Sequence, residues 1–254
     1  MRQNYKMILQ YEGSRYDGWQ KQGNTADTIQ GKLEAVLERM AGVPVEVHGS
    51  GRTDAGVHAM GQTAHFFLPE QRLPDEIKTY LNQFLPADIA VLSIETAPER
   101  FHSRLNAVKK VYSYQIETGE KADVFVRRMQ YSLGKTLDTE AMKKAAGYLC
   151  GTHDFKSFCG NKKMKKSTVR TIYSITIHDP EVVDGETISV VALGFVGNGF
   201  LQQMVRIMTG TLIEVGLGKR SPESMEQILA AKDRQAAGYT APPEGLCLAG
   251  VLYE

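Results

Sequence analysis

Residues 27–48 read Asp27-Thr28-Ile29-Gln30-Gly31-Lys32-Leu33-Glu34-Ala35-Val36-Leu37-Glu38-Arg39-Met40-Ala41-Gly42-Val43-Pro44-Val45-Glu46-Val47-His48. Ile29, Leu33, Val36, Leu37 and Met40 recur at helical spacing, which predicts an amphipathic helix over 28–41. Asp27 with Gln30 has the form of a capping box, and Gly42 stands where a helix ends in a left-handed residue. Val43 to His48 then reads as a strand. A helix handing over to a strand in so few residues points to alternating α and β elements.

Working outward, residues 5–12 read as a strand, broken by Gly13. Gln62 to Leu68 is a further strand, Asp75 to Phe84 a short helix behind Pro74, and Ile89 to Glu95 a strand. The order β-α-β-β-α-β then recurs. Val111 to Glu117 is a strand and Thr139 to Leu149 a helix; Val169 to His178 and Thr187 to Phe195 alternate like paired strands. Phe200 to Val215 is a helix, Ser221-Pro222 caps an extra helix to about Ala231, and Leu246 to Leu252 closes the chain. The expectation is an α+β protein of two ferredoxin-like halves, 1–105 and 106–254. Helices would cover one face of a largely antiparallel sheet, with a cleft between the halves.

The 254 residues carry a formal net charge of only +1, so any polyanion site must come from local clusters of Lys and Arg. No apolar run approaches the roughly 20 residues of a membrane helix, and the N-terminus lacks the apolar core of a secretory signal. Cys150, Cys159 and Cys247 form no CxxC pair, and an odd, sparse set fits free thiols in a reducing cytoplasm. The segment Gly216-Leu217-Gly218-Lys219 is not a phosphate-binding loop, and the histidines form no HExxH pattern, although His58 and His65 could meet in space. A GxSxG nucleophile elbow is also missing.

Residues 49–61, Gly-Ser-Gly-Arg-Thr-Asp-Ala-Gly-Val-His-Ala-Met-Gly, are long for a hairpin connection. Composition alone fits a flexible loop with a turn-forming Asp. Against that, Arg52 and Asp54 lie two apart, on one face of an extended chain, and the flanking glycines let a bulky ligand approach the backbone. Aspartate starts near pKa 3.9 and a neighbouring cation lowers it, so a charged carboxylate suited to nucleophilic attack or proton abstraction is expected.

Gly51-Arg52-Thr53-Asp54-Ala55-Gly56-Val57-His58-Ala59 resembles the active-site signature of the tRNA pseudouridine synthase A family. The likeness extends through Tyr11 to Gln20, Phe101-His102-Ser103-Arg104, Lys110-Val111-Tyr112-Ser113-Tyr114 and Asn198 to Arg206. The resemblance implies that Asp54 is catalytic and that Arg52 helps hold a flipped nucleotide. It further implies that Tyr112 stacks on the target base, Arg206 pairs with the carboxylate, and Leu246 contacts the uracil. The implied reaction converts uridine to pseudouridine at nucleotides 38, 39 and 40 of the tRNA anticodon stem-loop, in a cytoplasmic homodimer. It involves no redox change and no external energy, so no cofactor is expected. Lys162, Lys163, Lys165 and Lys166, with Arg104 and Lys110, mark the expected RNA path; four charges in five residues repel one another unless met by anions. Lys110 stands where arginine is common in the family, keeping charge but not bidentate geometry. Two rivals are a non-catalytic RNA-binding protein and a hydrolase using Asp54 with His58.

Overall fold

A computed structural model describes every residue except Met1, Ala122, Lys162, Asp184 and Gly185. The chain divides into two compact units, Met1–Val108 with Leu248–Glu254, and Lys109–Cys247.

The first unit runs β1 (Gln3–Tyr11), α1 (Ile29–Ala41), β2 (Val47–Gly49), β3 (His58–Leu68), α2 (Pro74–Phe84) and β4 (Ile89–Ala97). Its strands pair antiparallel in the order β4-β1-β3-β2, with Met7 opposite both Ala64 and Ile94. Tyr5, Met7 and Leu9 of β1 are fully buried, as are Leu33 and Leu37 of α1 and Ile77 and Leu81 of α2. These apolar stripes, at period two on the strand and helical period on α1 and α2, make the core. The N-cap of α1 corrects the sequence expectation. Thr28, not Asp27, accepts the Gly31 N–H, while Asp27 lies at the surface paired to Lys32. Gly42 closes the helix at φ +71°. Residues 43–46 lie outside β2, and β3 begins at His58 rather than Gln62.

The second unit begins with β5 (Ala107–Glu117), which takes up its first residues across the unit boundary. Then come β6 (Tyr131–Ser132), α3 (Thr139–Leu149), β7 (Gly151–Asp154), β8 (Val169–His178), β9 (Glu181–Val183), β10 (Glu186–Ile188), β11 (Val190–Gly197), α4 (Met204–Gly216) and α5 (Ser224–Ala231). The antiparallel order is β5-β11-β8-β7, and β6 joins β5 in parallel. The segment expected as one strand from Thr187 to Phe195 is divided: β10 pairs with β9, and β11 takes the place beside β8. The helix expected from Phe200 starts at Met204, because Gln203 turns left-handed at φ +59°. Likewise α5 begins three residues beyond Ser221. Helix α4 is buried nearly all round and packs on α3.

The last strand, β12 (Leu246–Tyr253), returns the chain to the first unit, where the Tyr253 hydroxyl donates to the Ser103 carbonyl at 2.6 Å. The α+β class and the prevailing antiparallel pairing follow the sequence expectation. No helix among the described residues is long and apolar enough to cross a membrane.

Candidate active site

Asp54 sits on the connection between β2 and β3. Its carbonyl accepts the Val57 N–H at 3.2 Å, closing a turn in which Gly56 takes φ +77°. Along the preceding extended stretch Arg52 is exposed, Thr53 is buried and Asp54 is half-buried. Thr53 therefore anchors the strip and its neighbours look outward.

Three walls hold that strip. A buried polar network lies beneath it: the Tyr11 hydroxyl meets Thr53 Oγ1 at 2.9 Å, and Gln62 Nε2 donates to the Gly51 carbonyl at 3.0 Å. Ser50 Oγ donates to Gln62 Oε1 at 2.6 Å. Each of these groups would lose about 1–3 kcal/mol if left unpaired in the interior, so the network fixes one loop conformation. The second wall is residues 13–19. Trp19 N–H donates to the Thr53 carbonyl at 3.1 Å and Gly56 N–H to the Tyr16 carbonyl at 3.2 Å. Gly13 and Gly18 permit this approach, since a Cβ would stand 2.0 Å from the Val57 oxygen at Gly13 and 2.6 Å from the Thr53 oxygen at Gly18. Gly49 likewise leaves room for the Trp19 ring. Tyr16 donates its hydroxyl to Asp88; burial first, and then that carboxylate, push its pKa well above the usual tyrosine value. The third wall is His58, 1% exposed, whose Nδ1 accepts the Gly13 N–H at 2.9 Å.

Apart from Arg104, the other residues singled out from the sequence lie in the second unit. Tyr112 of β5 is 8% exposed and meets Phe200 edge-on, with ring centroids 5.2 Å apart. Arg206, in the first turn of α4, is part-exposed rather than buried; its Nε donates to the Ala241 carbonyl at 2.7 Å, and the Ala241 N–H returns a bond to the Arg206 carbonyl. Leu246 is buried and follows a 3-10 turn over Pro243–Gly245. That turn is held by Tyr114, whose hydroxyl donates to the Pro242 carbonyl at 2.7 Å. Burial first, then the negative charge of Glu244, raise the Tyr114 pKa, so the proton stays in place. Lys163, Lys165 and Lys166 are exposed in the connection before β8, and Lys162 lies outside the described residues. Arg104 is exposed in the turn after β4, in the first unit, and Lys110 is half-buried in β5.

The sequence reading passed over Tyr11, Ser50, Thr53 and Gln62 as supports; only the proximity of Ser50 and Thr53 to Asp54 signalled them. It also missed a histidine trio in the first unit. His65 stacks on His48, its cross-strand partner, at 4.9 Å and lies 4.6 Å from His102. His65 Nδ1 accepts the Ser103 N–H at 3.2 Å, which requires that nitrogen to be unprotonated. Burial, then the neighbouring His102 and His48, lower the His65 pKa to about 4. Among the described residues no group of His, Cys, Asp and Glu is arranged to hold a metal.

A pH dependence of stability follows. The unfolded chain protonates His65 near pH 6.5, the folded chain near 4, so the unfolded state binds more protons between these values. Stability from this site is complete above pH 6.5 and is lost as pH falls toward 4. Thermal melts of the wild type and His65→Gln are expected to converge over that range; parallel curves would remove His65 from the account.

A family described as tRNA pseudouridine synthase matches residues 7–106 and 145–254. The tRNA pseudouridine synthase A of Bacillus sp. (strain KSM-64) is 46% identical over 98% of this chain and 99% of its own. That of Geobacillus sp. (strain WCH70) is 44% identical over the whole of both chains. The tRNA pseudouridine synthase A 2 of Bacillus cereus (strain ZK / E33L) is 43% identical over 98% of this chain and 99% of its own.

Proposed function

The chain belongs to the tRNA pseudouridine synthase family, isomerases that modify tRNA, and from that premise we propose that Asp54 converts uridine to pseudouridine at nucleotides 38, 39 and 40 of the anticodon stem-loop. The observation that carries the reading is local: a part-exposed carboxylate on a turn whose backbone is held on three sides. A carboxylate that must meet one sugar carbon gains from such rigidity, because a 1 Å misplacement can cost about 100-fold in rate.

The target base is stacked in RNA and must first be extruded, at a cost of a few kcal/mol. Tyr112 stacks on it and offsets part of that cost, about 1–3 kcal/mol. Arg52 holds the flipped nucleotide, Arg206 pairs with the carboxylate, and Leu246 contacts the uracil. Asp54 then either attacks C1′ or removes the 2′ proton. The C1′–N1 bond breaks and the uracil rotates; C5 then bonds to C1′ as the Asp54–C1′ bond breaks in the first case, or as the 2′ proton returns to C2′ in the second, and the C5 proton leaves as N1 gains one. The β-α-β-β-α-β order of the first unit supports reading it as ferredoxin-like, and the second unit is read the same way. The enzyme works as a cytoplasmic homodimer.

The test is to treat unmodified tRNA transcript carrying C5-tritiated uridine. The expected result is tritium release with an intact chain of unchanged mass and new pseudouridine confined to 38–40. Strand cleavage or free uracil would instead favour a hydrolase, and absence of both products a binding protein.

Lys163, Lys165, Lys166 and the neighbouring Lys162 are read as phosphate ligands, with Arg104 and Lys110. Replacing the lysines by alanine is expected to weaken tRNA binding and to reduce the salt slope by about 0.7–0.9 for each phosphate no longer neutralised. An unchanged slope returns the segment to solvated surface.

A further inference from the structure

The turn that joins β5 to β6 presents an aromatic ring for which the fold has no use. Phe125 is 93% exposed, the most exposed large apolar side chain among the described residues, with Val124 at 50% beside it. Burying such a ring is favourable, and a protein core is where it would ordinarily go. Here the backbone holds it outward. Asp123 Oδ1 accepts the Phe125 N–H at 2.8 Å, the Arg127 guanidinium donates to the Val124 carbonyl, and the Met129 N–H donates to the Val126 carbonyl at 2.7 Å.

The base of the turn is fastened as well. Tyr131 and Ser132 pair with Ile116 and Glu117, the Leu133 and Gly134 N–H groups both donate to the Glu117 carbonyl, and the Gly119 N–H donates to Glu117 Oε1. Strand β6 packs against the Pro243–Gly245 turn that precedes Leu246. The base of the turn therefore lies beside the Pro243–Gly245 turn, which leads into Leu246, the residue proposed above to contact the uracil.

Cations outnumber anions around the ring, four to two, with Glu120 and Asp123 on the approach and Asp123 Oδ1 already bonded to the Phe125 N–H. Arg127 and Arg128 follow it directly, and Lys121 and Lys135 flank the turn; all four are exposed. A planar ring set among cations fits a partner with exposed π-faces and regularly spaced negative charge, which is single-stranded or looped RNA.

We propose that Phe125 stacks on an unpaired base of the tRNA substrate while Arg127 and Arg128 meet the adjoining phosphates. This rests on the proposed function for the nature of the RNA and adds an interaction that none of the site residues supplies.

The test compares the full-length wild type with Phe125→Ala, Phe125→Leu, Phe125→Trp and the Arg127→Ala/Arg128→Ala pair, using unmodified tRNA transcript as the probe. Circular dichroism checks folding, and sedimentation without RNA checks the oligomeric state. Phe125→Ala and Phe125→Leu are expected to raise the Kd by about fivefold to a hundredfold with no change in salt slope, and Phe125→Trp to restore it. The arginine pair is expected to flatten the slope by about 1.4–1.8. Wild-type affinity in Phe125→Leu overturns the proposal, because an aliphatic side chain cannot stack. A loss of affinity that tracks a change in oligomeric state also overturns it and assigns the ring to a protein interface. Tritium release separates the two readings: a wild type that binds tRNA but releases none sinks the proposed function, whereas normal release with an indifferent Phe125→Ala sinks only the stacking interaction.

Discussion

Asp54→Asn is expected to lower tritium release from C5-labelled tRNA by at least about 10⁴-fold, the scale seen when a reacting group is removed from an otherwise intact site. The substitution keeps the shape of the side chain and removes its charge. The Asp54 carbonyl and the Val57 N–H close the turn through the backbone, which asparagine leaves alone. Asp54 is half-buried rather than enclosed, so its replacement leaves no isolated charge deep in the core. The Kd for tRNA is therefore expected to stay within a few-fold of wild type, and the melting temperature within a few degrees. Release persisting within tenfold of wild type would take the chemistry away from this residue. A parallel collapse of tRNA binding would make Asp54 a structural or recognition group instead.

Gly18→Ala is expected to damage the same site from outside it. Gly18 takes φ +93°, and a Cβ there would stand 2.6 Å from the Thr53 oxygen and 3.1 Å from the Ala55 nitrogen. The clash is with backbone on either side of Asp54, which cannot swing aside as a side-chain tip can. The left-handed backbone costs alanine about 1 kcal/mol and the overlap about 1–3 kcal/mol more. In a chain of this size that corresponds to a melting temperature lower by about 4–15 °C. The folded fraction should also lose at least about tenfold in kcat, because relief of the clash moves the loop. Gly42→Ala is the control: it shares the positive φ of +71° in the same unit but meets nothing within 4 Å. It should lose about 1 kcal/mol and keep its kcat. Equal loss of kcat in the two variants would show that Gly18 acts through global stability alone.

Helix α3 was legible to the residue, Thr139–Leu149, because its apolar spacing is local; its cap, Asp138, shows only in the fold. The end of α1 at Gly42 was equally legible, and the start of α2 was read one residue late, at Asp75 instead of Pro74, each boundary being set by the φ preference of one residue. The connection carrying Asp54 between two strands was also legible, as a glycine-rich segment too long for a tight hairpin. What the sequence could not supply arises between residues far apart in the chain. Thr28 displaces Asp27 as a cap because the preceding segment docks on the 53–56 strip: the Ile29 N–H is bonded to the Gly18 carbonyl and the Trp19 N–H to that of Thr53. Gln203 delays α4 where the Gly160 N–H reaches across to the Gln202 carbonyl. Gln62 and Tyr11, polar residues in strands, become the floor of the Asp54 loop only once β1 and β3 lie side by side. His48 and His65 become neighbours only through the register of β2 on β3, and His102 joins them from beyond β4. Local spacing determines which segments are helices and strands and which side chains can do chemistry, because backbone propensity acts over a few residues. Which polar groups are buried, and which of them hold the Asp54 loop still, depends on strand register and on backbone close approach, and those exist only in the folded chain.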